Sequence, residues 1–261
     1  MINILTIGDI VGTATLDWLH ATLRSQARAL GADLIIANGE NVTGIHGLGA
    51  KDALSLLDAG VDIITLGNHT YGMRDIYPLL DDRTDRILRP LNYPPTAPGC
   101  GYTVCDVQGW RLLCMNVNGT AFMEPLASPF DAVEQVLKRE AGRYDISILD
   151  IHAEATAEKY ALARAFDGRL TAMFGTHTHV ATADEQILPG GSGYITDIGM
   201  SGPVGGILGT KTEAVLTKMR DKMPAHFTVA EGKITVRGAL FTIDPSARRC
   251  VDVKRVSWQE K

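Results

Sequence analysis

The chain has 261 residues, of which 45% are apolar and 21% charged, with a formal net charge of −5. Length and composition of this kind describe a globular chain able to bury a substantial core, and they exclude disordered and collagen-like classes. No basic run is present, which argues against a long nucleic-acid partner but leaves a small anionic substrate open, because bound cations can dominate a local field. The four cysteines, Cys100, Cys105, Cys114 and Cys250, include no Cys-x-x-Cys pair and so no zinc-ribbon spacing. The opening segment has no basic stretch before its apolar run, and no run approaches the roughly 18 residues of a membrane span. The expectation is a cytoplasmic protein without membrane contact.

In chain order, a short apolar run followed by a polar, glycine-containing loop recurs. Ile2 to Ile7 precedes Gly8-Asp9; Leu34 to Ala37 precedes Asn38-Gly39-Glu40-Asn41; Val61 to Leu66 precedes Gly67-Asn68-His69. Ile146 to Ile151 precedes His152, and Leu170 to Phe174 precedes Gly175-Thr176-His177-Thr178-His179. Such runs read as buried strands. Between them, Leu16, Leu19, Leu23, Ala27 and Leu30 follow a helical period that Gly31 stops, and Lys51–Ala59, Asp131–Ala141 and Glu154–Phe166 read as further helices. Residues 89–99, with four prolines, read as an extended connection. After Ala225 the pattern turns to antiparallel strands: a hairpin of His226–Ala230 with Ile234–Ile243 about the turn Glu231-Gly232-Lys233, then a strand over Val251–Trp258. Alternating strands and helices predict an α/β layered fold. Residues 1–261 are read as a single domain.

Polar groups that follow strand C-termini in an α/β sheet converge on one edge, where such folds bind ligands. Here those positions carry Asp9, Glu40, Asn41, Asn68, His152, His177 and His179. Oxygen and imidazole donors without thiolates suit divalent manganese, iron or zinc and argue against a structural zinc site. If His177-Thr178-His179 is extended, its two imidazoles face the same way with Cα atoms roughly 6–7 Å apart. They could then reach two metals spaced at roughly 3.5–4 Å. Asn68 offers a neutral amide oxygen, and the adjacent His69 could face a substrate as an acid.

These blocks, in this order, resemble the calcineurin-like metallophosphoesterase superfamily. The similarity is greater to one bacterial branch, the YmdB-type phosphodiesterases linked to 2′,3′-cyclic nucleotides. Asp9-Ile10-Val11 and Gly39-Glu40-Asn41 stand where most of the superfamily has Asp-x-His and Gly-Asp-x-x-Asp, and Thr196 to Pro203 resembles the branch's late block. The resemblance implies a metallophosphoesterase-like sandwich of two central β-sheets flanked by helices, with the metal site at strand C-terminal ends. It implies one metal on Asp9, Asn41 and His179, a second on Asn68, His152 and His177, Glu40 bridging them, and His69 protonating the leaving oxygen. Iron or manganese is expected at the two sites, with zinc as an alternative.

The expected activity is hydrolysis of a small phosphodiester, such as a 2′,3′-cyclic nucleotide, by metal-activated hydroxide attack. Two carboxylates against two divalent ions leave the site cationic, as a phosphodiester monoanion requires. The alternatives are a phosphomonoesterase or short-RNA nuclease, and a regulatory interaction protein that uses metal only for stability. His46 departs from the branch pattern and is read as a solvated loop residue; His20 and His226 are read as structural, in a helix and a strand. The C-terminal strands could serve homo-oligomer formation.

Overall fold

The computed structural model describes residues 1–260. The chain begins with β1 (Ile2–Ile7), β2 (Asp9–Ile10), α1 (Thr13–Leu30), β3 (Leu34–Asn38), α2 (Ala50–Ala59), β4 (Ile63–Thr65), α3 (Ile76–Asp82) and β5 (Ile87–Leu88). It continues with β6 (Tyr102–Val107), β7 (Trp110–Asn118), α4 (Pro129–Arg139), β8 (Ile146–His152), α5 (Thr156–Ala165) and β9 (Ala172–Thr176). The last third holds β10 (Gln186–Ile187), β11 (Gly193–Ile195), β12 (Met200–Pro203), α6 (Thr212–Met219), β13 (Ile234–Asp244) and β14 (Arg249–Gln259).

Two sheets form. The first has eight strands in the order β2-β12-β13-β1-β3-β4-β5, with β14 paired to β13; the second has six, in the order β10-β11-β9-β8-β7-β6. Three apolar layers result. Leu16, Leu19, Leu23 and Ala27 of α1 pack with Ala53, Leu56 and Leu57 of α2 against one face of the first sheet. Ile4, Ile36, Phe241, Ile148 and Phe174 fill the space between the sheets, and Val133, Val136, Leu162 and Ala163 cover the outer face of the second with Leu149 and Met173. Fully buried leucines such as Leu19 and Leu23 each contribute about 1.5–3 kcal/mol by leaving water. The architecture is the expected α/β sandwich of two sheets flanked by helices.

Buried strands such as β8 carry apolar side chains on both faces, which is why they read as runs without alternation. The helices end close to their glycine stops: Gly31 and Gly60 both cap in the left-handed region. The C-terminal hairpin departs from expectation. β13 pairs with β14 about residues 245–248, and His226–Ala230 forms no strand. The true turn is set by Asp244, whose Oδ1 accepts from the Ser246 and Ala247 amides at 3.0 and 3.2 Å. An Asx turn of this kind outweighs Glu231-Gly232-Lys233 as a reversal signal. The β6–β7 hairpin is a further addition to the expected elements. Its two-residue turn, Gln108-Gly109, has φ 55° and 82°, the conformation that matches strand twist.

The consequence for function is one of direction. β1, β3 and β4 run parallel in the first sheet, and β7, β8 and β9 run parallel in the second. Their C-terminal ends open at a common edge of the sandwich.

Candidate metal centre

Each expected ligand arrives from one of those strand ends. Asp9 follows β1, Glu40 and Asn41 follow β3, Asn68 follows β4, His152 ends β8, and His177 and His179 follow β9. Glu40, His152 and His177 form a group whose ligand atoms lie within 4.8 Å of one another. Around His152 Nε2, Glu40 Oε1 lies at 2.9 Å, Asn68 Oδ1 at 3.0 Å and His177 Nδ1 at 3.1 Å. His179 Nε2 approaches Asp9 Oδ1 at 4.0 Å, and Asp9 Oδ1 lies 3.8 Å from His152 Nδ1. The approach is close enough to exclude a side chain at Gly67, where a Cβ would sit 2.2 Å from His152 Cδ2 and 2.4 Å from Glu40 Oε2.

The supporting hydrogen bonds fix which ring nitrogens face inward. Thr176 Oγ1 donates to Asp150 Oδ1 at 2.7 Å, so Thr176 Oγ1 itself accepts from His152 Nδ1 at 2.9 Å. That leaves Nε2 of His152 directed at the cluster. Asp150 also accepts from Thr65 Oγ1 at 2.6 Å, and it lies buried beneath the site. A carboxylate behind a metal-facing histidine is the usual way to hold such a ring. His179 Nδ1 donates to the Leu208 carbonyl at 3.0 Å, which likewise turns its Nε2 inward.

The His177-Thr178-His179 segment is not extended, contrary to the assumption made for it. His177 and His179 have φ of 95° and 64°. The two rings therefore diverge, one toward His152 and one toward Asp9, and the alternation rule for strands does not govern them. Asp197 holds this turn. Its Oδ2 accepts from Thr178 Oγ1 at 2.7 Å and from Lys159 Nζ at 2.6 Å, and Lys159 Nζ also donates to the Thr176 carbonyl at 2.7 Å. Left-handed backbone at a non-glycine residue persists only where its surroundings over-determine it, and it clusters at functional sites.

The electrostatics call for cations. Asp9 and Glu40 are both buried, and burial, set against the His179 and His152 charges, leaves the Asp9 carboxyl above its ordinary range. Burial pushes Glu40 the same way, but the charge of and hydrogen bond with His152 prevail and bring it down to about 2. Burial opposes a proton on His152, yet Glu40, Asp9 and Asp150 together raise it to about 9. His177, buried beside a charged His152, falls to about 3. Asn41 Nδ2 donates to the Ile45 carbonyl at 2.5 Å, while its Oδ1 is buried without a partner. Lone pairs converging from oxygen and imidazole, two buried carboxylates and an orphaned amide oxygen fit divalent metals.

His69 sits at the rim. Its amide donates to Glu40 Oε2 at 3.0 Å, its Nε2 lies 3.2 Å from Asn68 Nδ2, and burial holds its pKa below the ordinary value. The His46 ring lies tilted against it at 39°, with centroids 4.4 Å apart. His46 is exposed, as a loop residue should be, but it also lines a cleft of about 280 Å3 with Asn41, His69, His177 and His179. His20 joins α1 to α2 through Ser55 Oγ at 2.7 Å, and His226 lies in a non-strand segment. Asp150 and Lys159 are participants that motif reasoning misses. A charged residue inside the run Ile148-Leu149-Asp150-Ile151 is the available signal for the first; Lys159 gives none.

Fold and site together define an α/β sandwich protein of the metallophosphoesterase kind. A family model described as YmdB-like protein matches residues 5–256, and the chain belongs to that family. It is 40% identical over 254 residues to a Bacillus subtilis (strain 168) protein named 2′,3′-cyclic-nucleotide 2′-phosphodiesterase, covering 97% of this chain and 96% of that one. Among solved structures, a hypothetical protein from Thermus thermophilus aligns with a TM-score of 0.93 at 38% identity, covering 100% of both chains. A Mycoplasma pneumoniae structure described as a novel phosphatase aligns with a TM-score of 0.91 at 32% identity over 99% of this chain and 93% of that one.

Proposed function

We propose that the chain is a metal-dependent phosphodiesterase, working as one domain, with 2′,3′-cyclic nucleotides among its substrates. The observation that carries this reading is the convergence of Glu40, Asn68 and His177 within 3.1 Å of His152 Nε2, beside the partnerless Asn41 Oδ1. The name of the Bacillus subtilis relative supplies the substrate class. Asp9, Asn41 and His179 would hold one divalent ion, Asn68, His152 and His177 a second, and Glu40 would bridge them. Iron or manganese fits the donor set, as does zinc. When bound, such ions supply positive charge for the phosphoryl oxygens and make water a nucleophile at neutral pH.

The chain's own residues do the rest. Asp150 and Thr176 hold the His152 ring in place, and Asp197 holds the His177–His179 turn. His69, next to Asn68 and clear of the His152 cluster, is positioned to protonate the leaving oxygen. Its lowered pKa favours the neutral ring in the free protein, so its proton is taken up together with an anionic substrate, whose charge favours the imidazolium. Hydrolysis of adenosine 2′,3′-cyclic phosphate against a simple phosphomonoester, with manganese supplied, tests the reading. The diester should be preferred; preference for the monoester over every diester would overturn it.

A further inference from the structure

Phe122 is 91% exposed, and its backbone is left-handed at φ 62°. Either feature alone is unusual for a large aromatic residue, and together they need a reason. A mobile loop would be a trivial one, but the segment is clamped on both sides. The Glu158 carboxylate accepts from the Thr120 amide at 2.9 Å, the Thr120 hydroxyl at 3.0 Å and the Ala121 amide at 3.1 Å. Gly119 donates to the carbonyl of His152 itself at 2.9 Å, and a Cβ at Gly119 would meet Glu158 Oε2 and the Ala153 Cβ at 2.5 Å. On the far side, the Glu154 amide lies 3.4 Å from Met123 Sδ. The ring is thus held out in water by structure anchored to the metal-bearing strand.

It is also held in a particular place. Phe122, Met123 and Glu124 line a cavity of about 200 Å3 with Asn68, His69 and His177. His69 and His177 also line the neighbouring 280 Å3 cleft with Glu40, Asn41 and His179, so the two spaces meet at the metal centre. A phosphate on the metals would lie at that junction. The Glu124 carboxylate opposes a second anion on the Phe122 side, which therefore suits the uncharged part of a substrate. A cavity smaller than the roughly 300–1,000 Å3 of drug-sized sites takes one ring system and not a polymer.

We propose that this cavity is a nucleobase subsite, with Phe122 as its stacking face. The inference rests on the phosphodiesterase reading above and deepens it: the substrate is a nucleotide recognised through its base, and not any small phosphodiester. A rigid aromatic face binds bases tolerantly, since every base has a π-face, and an already ordered loop loses little entropy on binding.

The test uses the metal-reconstituted full chain with two five-membered cyclic phosphates: adenosine 2′,3′-cyclic phosphate and the base-free glycerol 1,2-cyclic phosphate. Phe122→Ala should lower the ratio of kcat/KM for the first over the second by about 5- to 100-fold, and Phe122→Trp should retain it. An unchanged ratio overturns the subsite, as does Phe122→Leu preserving the ratio as well as Phe122→Trp. If the wild type turns over neither compound, the activity reading fails. The subsite is then judged by calorimetric binding of adenosine 3′-monophosphate, where weaker binding by Phe122→Ala supports it and equal binding overturns it. Light scattering on the same variants closes the remaining route: a drop in oligomeric mass with Phe122→Ala would assign the ring to a contact between copies and overturn the proposal.

Discussion

A proton on His152 does in the metal-free protein what a cation would do in the loaded one. It stands between Glu40 and Asp9, and its affinity rises to about 9 because the charges of Glu40, Asp9 and Asp150 outweigh the burial that opposes it. Metal uptake must displace it, so loading should release protons, increasingly so as pH falls below about 9. Calorimetric titration of manganese in buffers of different ionisation enthalpy reads that release directly; enthalpies independent of buffer would contradict it. The same proton affects stability. A folded-state pKa raised from 6.5 to about 9 contributes stability that is complete below 6.5 and lost as pH rises to 9. The shifts of Glu40 to about 2, His177 to about 3 and Asp150 to about 6 act at lower pH, while Asp9, raised by burial, adds to the loss in the same direction as His152. Urea midpoints of chelator-treated protein should therefore fall between pH 6.5 and 9, and His152→Gln should flatten the fall. His69 makes a different prediction. As a general acid it should contribute about 10²–10⁴ in rate, so His69→Ala should lose activity on that scale while keeping its metals. The loss should shrink for leaving groups of low pKa, and equal losses across a graded series would rule out the acid role. Every proposed ligand is legible in the sequence as a residue type after a strand. The divergence of His177 from His179 is not, because it depends on left-handed backbone that Asp197 enforces from 18 residues beyond His179.

Elements place those residues, and the buried Lys159–Asp197 pair joins two of them to a connecting loop. Lys159 belongs to α5, it bonds the last carbonyl of β9, and Asp197 lies between β11 and β12. Both side chains are buried, at 0% and 1% exposure, so removing one leaves the other an uncompensated charge. Lys159→Met should cost about 3–5 kcal/mol in denaturant unfolding. It should also weaken metal binding, because the histidine turn loses its anchor; a variant with unchanged stability would show that the pair is not what holds the turn. The parallel strands are readable because both of their faces are buried and glycine closes them. The β6–β7 hairpin is not, since Tyr102–Val107 is only half-buried and its alternation is weak. Nor is the β13–β14 turn, where the side chain of Asp244 decides the reversal in place of a glycine.

At the scale of the whole molecule, two sheets face each other so that strand ends from both meet at one edge. Neither sheet could form the centre alone: the first brings Asp9, Glu40, Asn41 and Asn68, and the second His152, His177 and His179. The carboxylates come from one sheet and the imidazoles from the other, so closing the sandwich and completing the proposed metal site are one event. Chelation should accordingly lower the unfolding temperature of the whole chain as a single transition. Among the described residues no helix is long and apolar enough to cross a membrane. The central claim is that Glu40 bridges two ions that together carry out phosphodiester hydrolysis. Elemental analysis of wild type and Glu40→Gln purified without chelator, with turnover of adenosine 2′,3′-cyclic phosphate measured on the same samples, tests it most directly. The account predicts about two metals per chain in the wild type, as two-metal hydrolases require, and joint loss of metal and turnover in Glu40→Gln. Full occupancy with unchanged turnover in that variant would contradict it.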